Sequence, residues 1–200
     1  MMNAPLLFLP GRNGSGPEHW QTLWQARSPD ALRLQPSDWS NPELGDWMSA
    51  LECAMGACAD PPLLVAHSMG CLLSVCWAAK YQSDRPIRGA FLVAPPNFRR
   101  DGFPSQSFTN VPNFLIPCPL LVVASSNDPY CPIEVAEQMA NRWGAGFVCV
   151  GARGHISTEP GNKDWQEGLG LLEAFASGLA VRTGLTQRAH TNGEVTISAS

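Results

Sequence analysis

Apolar residues in this chain fall in short unbroken runs, separated by longer stretches where they recur at helical spacing. The runs are 5–9, 31–34, 62–66, 89–94, 119–124 and 146–150, the second being the weakest. Runs of four to six apolar residues without polar alternation mark strands covered on both faces. Between them, 18–27, 43–59, 69–81, 132–143 and 164–176 read as helices. Asn41 and Pro42 offer an N-cap and a first helical residue for the second of these. Glu134 and Glu137 suit the start of the fourth. Alternating strands and helices predict an α/β fold: βαβ units, a mostly parallel sheet of about six strands, and helices on both faces.

Two segments break the rhythm. Residues 95–117 hold Pro95, Pro96, Pro104, Pro112 and Pro117, with Phe98, Phe103, Phe108 and Phe114 between them. That is too long for a plain connection, so the segment is either functional or partly disordered. Its phenylalanines suit an acyl-pocket wall or a small satellite core equally. After about Gly178 the chain turns polar. The domain is therefore assigned to 1–178, and 179–200 is read as a polar tail outside it and a candidate for disorder.

Composition narrows the class. The 200 residues are 44% hydrophobic and 15% charged, with 13 Lys+Arg against 17 Asp+Glu and a net charge of −4. One domain of this size buries a sufficient core without staples. No basic run exists, which argues against nucleic acid as a partner. No apolar stretch has the ~20 residues of a membrane span. The start has no charged leader, and the run 6–9 is too short for a signal peptide, so a cytoplasmic protein is expected. Seven cysteines without a Cys-x-x-Cys read as buried reduced thiols.

The chemistry concentrates at Leu63-Leu64-Val65-Ala66-His67-Ser68-Met69-Gly70, where an apolar run meets a helical pattern. A serine on a sharp strand-to-helix turn needs small residues two positions away on each side, so that helix and strand can approach. Gly70 satisfies this, and Ala66 stands where glycine is commoner. Ser68 is the candidate nucleophile. A serine hydroxyl needs a base. Of the four histidines, His67 adjoins Ser68 and suits packing and hydrogen bonding. His19 begins a helix and suits capping, and His190 lies in the tail. His155 follows the last strand on a glycine-rich loop, at the sheet edge where ligands bind, and is the candidate base. Asp128, just beyond the strand 119–124, is the candidate carboxylate; Asp101 and Asp164 follow no strand directly. The order Ser, Asp, His is that of α/β-hydrolases.

Backbone N–H groups would stabilise an oxyanion: that of Met69, and one from the loop after the first strand, Arg12 first and Asn13 next. Asn13 and Trp39 are candidates for the substrate pocket, Trp39 being equally suited to packing. The glycine-rich loop 10–16 lacks both phosphate-binding patterns, and no metal-ligand spacing occurs, so no cofactor and no metal are expected.

Pro10-Gly11, Ser15-Gly16, His19-Trp20-Gln21, Asp38-Trp39, Val65-Ala66-His67-Ser68-Met69-Gly70, Val93-Ala94-Pro95, Asn127-Asp128-Pro129-Tyr130 and Gly154-His155-Ile156 occur in this order. They resemble the small serine hydrolases of the YdeN and retinoblastoma-binding-protein type over about residues 4–176. The resemblance implies a compact α/β-hydrolase with little or no lid, and the roles given above to Ser68, Asp128 and His155. It supplies no substrate. A small-molecule ester, or a thioester or amide, is the expected substrate. A hydrolase-like module that binds a protein partner is the alternative.

Overall fold

The computed structural model describes residues 5–191. Strands β1 (Leu6–Leu9), β2 (Leu32–Arg33), β3 (Leu63–His67), β4 (Gly89–Val93), β5 (Leu120–Ala124) and β6 (Gly146–Cys149) form one sheet. Its order is β2-β1-β3-β4-β5-β6, and every pairing is parallel. Helices α1 (Trp20–Ala26), α2 (Leu44–Gly56), α3 (Met69–Tyr81), α4 (Ile133–Trp143) and α5 (Gln166–Thr191) complete an α/β fold.

The unbroken apolar runs reflect two cores, one on each face of the sheet. Leu7 and Leu9 of β1 join Trp47 and Leu51 of α2, Leu72 and Trp77 of α3, and Met139 and Trp143 of α4. Leu6 and Phe8 point the other way, to Trp20 and Trp24 of α1 and to Leu172 and Leu179 of α5. Side chains alternate faces along a strand, and here both faces of the inner strands meet helices, so β1, β4 and β5 carry no polar side chain. Helix α3 is buried from Met69 through Ala78, which explains its lack of a polar stripe.

Several expectations need adjustment. Helix α2 begins at Leu44 with Glu43 as its N-cap; Asn41 is spent on Asp38 instead. Helix α5 continues past the expected end to Thr191, and Leu179 is buried. Residues 192–200 lie outside the described residues. Segment 95–117 is not disordered. It holds one turn (Ser107–Thr109), and Phe98, Phe108, Val111 and Ile116 are buried in the core. Phe108 meets Trp47 edge-on at 5.5 Å, and Trp143 Nε1 donates to the Pro112 carbonyl at 2.9 Å. All seven cysteines are free, but Cys53 and Cys149 are exposed; Cys149 ends the edge strand β6. Among the described residues, no helix is long and apolar enough to cross a membrane.

Candidate active site

Ser68 stands alone between β3 and α3 with φ 54° and ψ −122°. A non-glycine residue held there costs about 1–3 kcal/mol and persists only where its surroundings enforce it. The enforcement is visible. A Cβ on Gly70 would lie 2.2 Å from the Leu9 carbonyl oxygen, so α3 meets β1 backbone to side-chain-free backbone. A Cβ on Gly11 would lie 2.7 Å from Ser68 Cβ, so the loop after β1 presses on the serine itself. Ala66 faces the core within β3 and its methyl fits there. The Ser68 N–H donates to the Val93 carbonyl at 3.0 Å and fixes the turn against β4.

The loops after β5 and β6 bring two more side chains to this edge. Ser68 Oγ lies 2.9 Å from His155 Nε2, and His155 Nδ1 lies 2.8 Å from Asp128 Oδ2. With a carboxylate at one nitrogen, the tautomer follows: Nδ1–H donates to Asp128 and Nε2 accepts the serine proton. The Tyr130 N–H donates to Asp128 Oδ1 at 2.8 Å. The two loops are stitched together. Gly154 N–H donates to Asn127 Oδ1 at 2.7 Å, Arg153 N–H to Ser125 Oγ at 2.9 Å, and Ser126 N–H to the Gly151 carbonyl at 2.9 Å. The side chains of His155 and Asp128 are only 11% and 3% exposed, so water competes weakly for their contact. The rival carboxylates are elsewhere: Asp164 pairs with Arg27, and Asp101 is exposed in a turn.

The other histidines serve the scaffold. His67 Nε2–H donates to the His155 carbonyl at 2.9 Å. Burial pushes the His67 imidazole well below its ordinary pKa, helped by the nearby His19 and His155. His19 caps α1, its Nδ1 accepting from Gln21 N–H at 3.2 Å. Burial, then Arg33 and His155, push His19 down to about 4, against the pull of Glu159. Both rings are thus neutral near pH 7, and neither contacts Ser68 Oγ.

Glu159 joins the site although no sequence motif marks it. Its carboxylate accepts the His155 N–H at 3.0 Å, the Ser157 N–H at 2.7 Å, the Ser157 hydroxyl at 3.1 Å and Asn162 Nδ2 at 3.2 Å. Burial pushes its pKa up, but hydrogen bonds from its own N–H, from Ser157 and from the His155 N–H hold it below the ordinary value. An acid four residues after the candidate base, in a loop short of other acceptors, was the available signal.

A cavity of about 560 Å³ opens over Ser68 and His155, a size suited to a small ligand. Arg12, Asn13 and Met69 line it. The Asn13 N–H is already given to the Trp39 carbonyl at 2.8 Å, whereas that of Arg12 has no acceptor among the described residues. Met69 opens α3, where the first N–H groups have no intrahelical partner. Trp39 is not part of the lining: its indole turns to Trp47, ring centroids 5.4 Å apart, and packs as structure. Arg100 and Tyr130 do line the cavity, as does Phe103 of segment 95–117. A larger groove of about 1160 Å³ at the opposite end of the strands has no histidine in its walls.

Residues 6–174 match the family described as serine hydrolase. No curated protein sequence matches the chain. Among solved structures, one described as a YdeN-like hydrolase from Pectobacterium atrosepticum is 31% identical, with TM-score 0.79, covering 88% of this chain and 91% of that one. The ydeN gene product of B. subtilis is 18% identical, with TM-score 0.67, covering 88% and 100%. An esterase from Thermogutta terrifontis, 15% identical with TM-score 0.62 and covering 88% and 90%, shares the fold.

Proposed function

The chain belongs to the serine hydrolase family, as a relative of the YdeN-like hydrolases, and from that premise we propose that it cleaves a small carboxylic ester through an acyl-enzyme on Ser68. The observation that carries this reading is the unbroken line from Ser68 Oγ to His155 at 2.9 Å and on to Asp128 at 2.8 Å, set on a turn of positive φ.

In this reading His155 Nε2 takes the Ser68 proton as Oγ attacks the ester carbonyl. The Arg12 and Met69 N–H groups receive the negative oxygen of the tetrahedral intermediate. The imidazolium, steadied by Asp128, returns the proton to the departing alkoxide, and the alcohol leaves. Water, deprotonated by the same nitrogen, attacks the acyl-enzyme; Ser68 regains its proton and the acid departs. A thioester or amide would pass through the same steps.

The test is a panel of nitrophenyl esters together with a fluorophosphonate probe, on wild type and Ser68→Ala. Turnover and labelling in wild type, with turnover down by roughly 10⁴- to 10⁶-fold and labelling gone in the variant, is the expected result. A well-folded wild type that neither turns over any ester nor takes the probe would favour the protein-binding alternative.

A further inference from the structure

We propose that the cavity is built for an ester that also carries a carboxylate, and that the Arg100 guanidinium anchors it. The inference rests on Ser68 being the nucleophile and names the substrate class of that site. The chain as a whole is acidic, with a net charge of −4. Yet the cavity is lined by two arginines, Arg12 and Arg100, and by one carboxylate, Glu159. Glu159 is fully engaged by the donors of its own loop. Elsewhere Arg27, Arg85, Arg153 and Lys163 each hold a carboxylate. Arg100 holds none among the described residues, and its Nε is buried without a hydrogen-bond partner.

The position of Arg100 relates it to the reacting centre. Its guanidinium lies over the Tyr130 ring, 5.2 Å from the centroid, and that ring stands edge-on to His155 with centroids 4.6 Å apart. A cation–π contact needs no hydrogen-bond acceptor, so the guanidinium's donor fork stays free for a further partner. That fork matches the two oxygens of a carboxylate. Arg12 is less available, because its Nε donates to the Ser40 carbonyl at 2.8 Å. One free fork balances one negative charge, which favours a carboxylate over a doubly charged phosphate. Pro96, Phe103 and Pro104 supply apolar wall between, suited to a short methylene spacer.

The experiment compares kcat/KM for matched pairs. An aryl hemisuccinate against its methyl ester places the charge on the acyl side; an acetoxybenzoate against its methyl ester places it on the leaving group. We expect one charged ester to exceed its neutral partner by about 10- to 100-fold, a range set by a single charge-assisted fork. Arg100→Gln should bring that ratio close to one, and Arg100→Lys should restore part of it. If Arg100→Gln fails to fold, competitive inhibition of wild-type neutral-ester turnover by free succinate, weakening as salt rises, takes its place. Neutral esters matching or beating the charged ones in wild type, or a ratio unmoved in a folded Arg100→Gln, or no inhibition by succinate, would overturn the proposal. Neutral turnover and probe labelling would meanwhile leave the serine mechanism standing. Absence of all turnover and labelling would remove both.

Discussion

His67 Nε2–H donates to the carbonyl oxygen of His155 across 2.9 Å, joining residues 88 positions apart in the chain. His67 is the last residue of β3, and Ser68 follows it. The strand that presents the serine therefore also grips the loop that presents the imidazole. Glu159 accepts the N–H of the same His155, so both backbone polar groups of that residue are held by side chains. The next residue, Ile156, sits at φ 49°, where a branched side chain is strained. Its carbonyl accepts from Trp20 Nε1 at 2.8 Å, which adds a third hold on the bend.

Glu159 is accordingly a positioning residue. Glu159→Ala should lower kcat by about 10-fold with KM little changed, and stability by about 1–3 kcal/mol, as its donors lose their acceptor. Glu159→Gln keeps one carbonyl acceptor and should recover part of both. Steady-state kinetics and thermal melting check this. Wild-type kcat in a folded Glu159→Ala would remove the role.

Asp128→Asn should leave the fold intact and lower kcat for an ester by about 10⁴-fold, because the amide no longer enforces the Nδ1–H tautomer of His155. Turnover within 10-fold of wild type would show that Asp128 is not the orienting carboxylate.

Much of this was legible in the sequence because the relevant physics is local. The runs giving β1, β3, β4 and β5 are apolar throughout since both sheet faces are covered, and a serine flanked by Ala66 and Gly70 at a strand-helix junction has a steric reason to be there. Helix α5 outruns the stretch 164–176 that the pattern marks, because nothing in the local sequence shows that Leu179 is buried. Trp39 was open to two roles because loop position fixes an edge of the sheet and not the direction of a ring. Glu159, Arg100 and the His67 bond depend on contacts between loops distant in the chain, and no spacing rule exposes them. Of the phenylalanines of 95–117, Phe98 and Phe108 join the core, Phe103 packs against it and lines the cavity, and Phe114 is exposed.

Stability should fall with acid because of His19. Its ordinary pKa of 6.5 drops to about 4 in the folded chain. Between these values the unfolded chain binds a proton that the native one refuses, so stability rises with pH and is lost on acidification from about 6.5 downward. At about 1.4 kcal/mol per pH unit the difference is worth about 3 kcal/mol by pH 4. His67, also pushed down, acts in the same direction. His19→Asn keeps a capping side chain at the start of α1 and should flatten the slope of melting temperature against pH between 4.5 and 6.5. An unchanged slope would contradict the assignment.

Two glycines should respond oppositely to alanine. At Gly70 the methyl would meet the Leu9 carbonyl oxygen at 2.2 Å, so Gly70→Ala should prevent β1 and α3 from approaching and abolish folding or labelling. At Gly170, within α5, nothing lies within 4 Å, and Gly170→Ala should stabilise by about 0.5–1 kcal/mol. Melting curves decide both.

The central claim is that the Ser68 hydroxyl forms the covalent bond, and peptide mapping by mass spectrometry after fluorophosphonate treatment tests it most directly. The predicted result is one adduct, on the peptide containing Ser68, lost in Ser68→Ala and strongly slowed in His155→Ala. An adduct on any other residue, or labelling of Ser68→Ala at the wild-type rate, would contradict it.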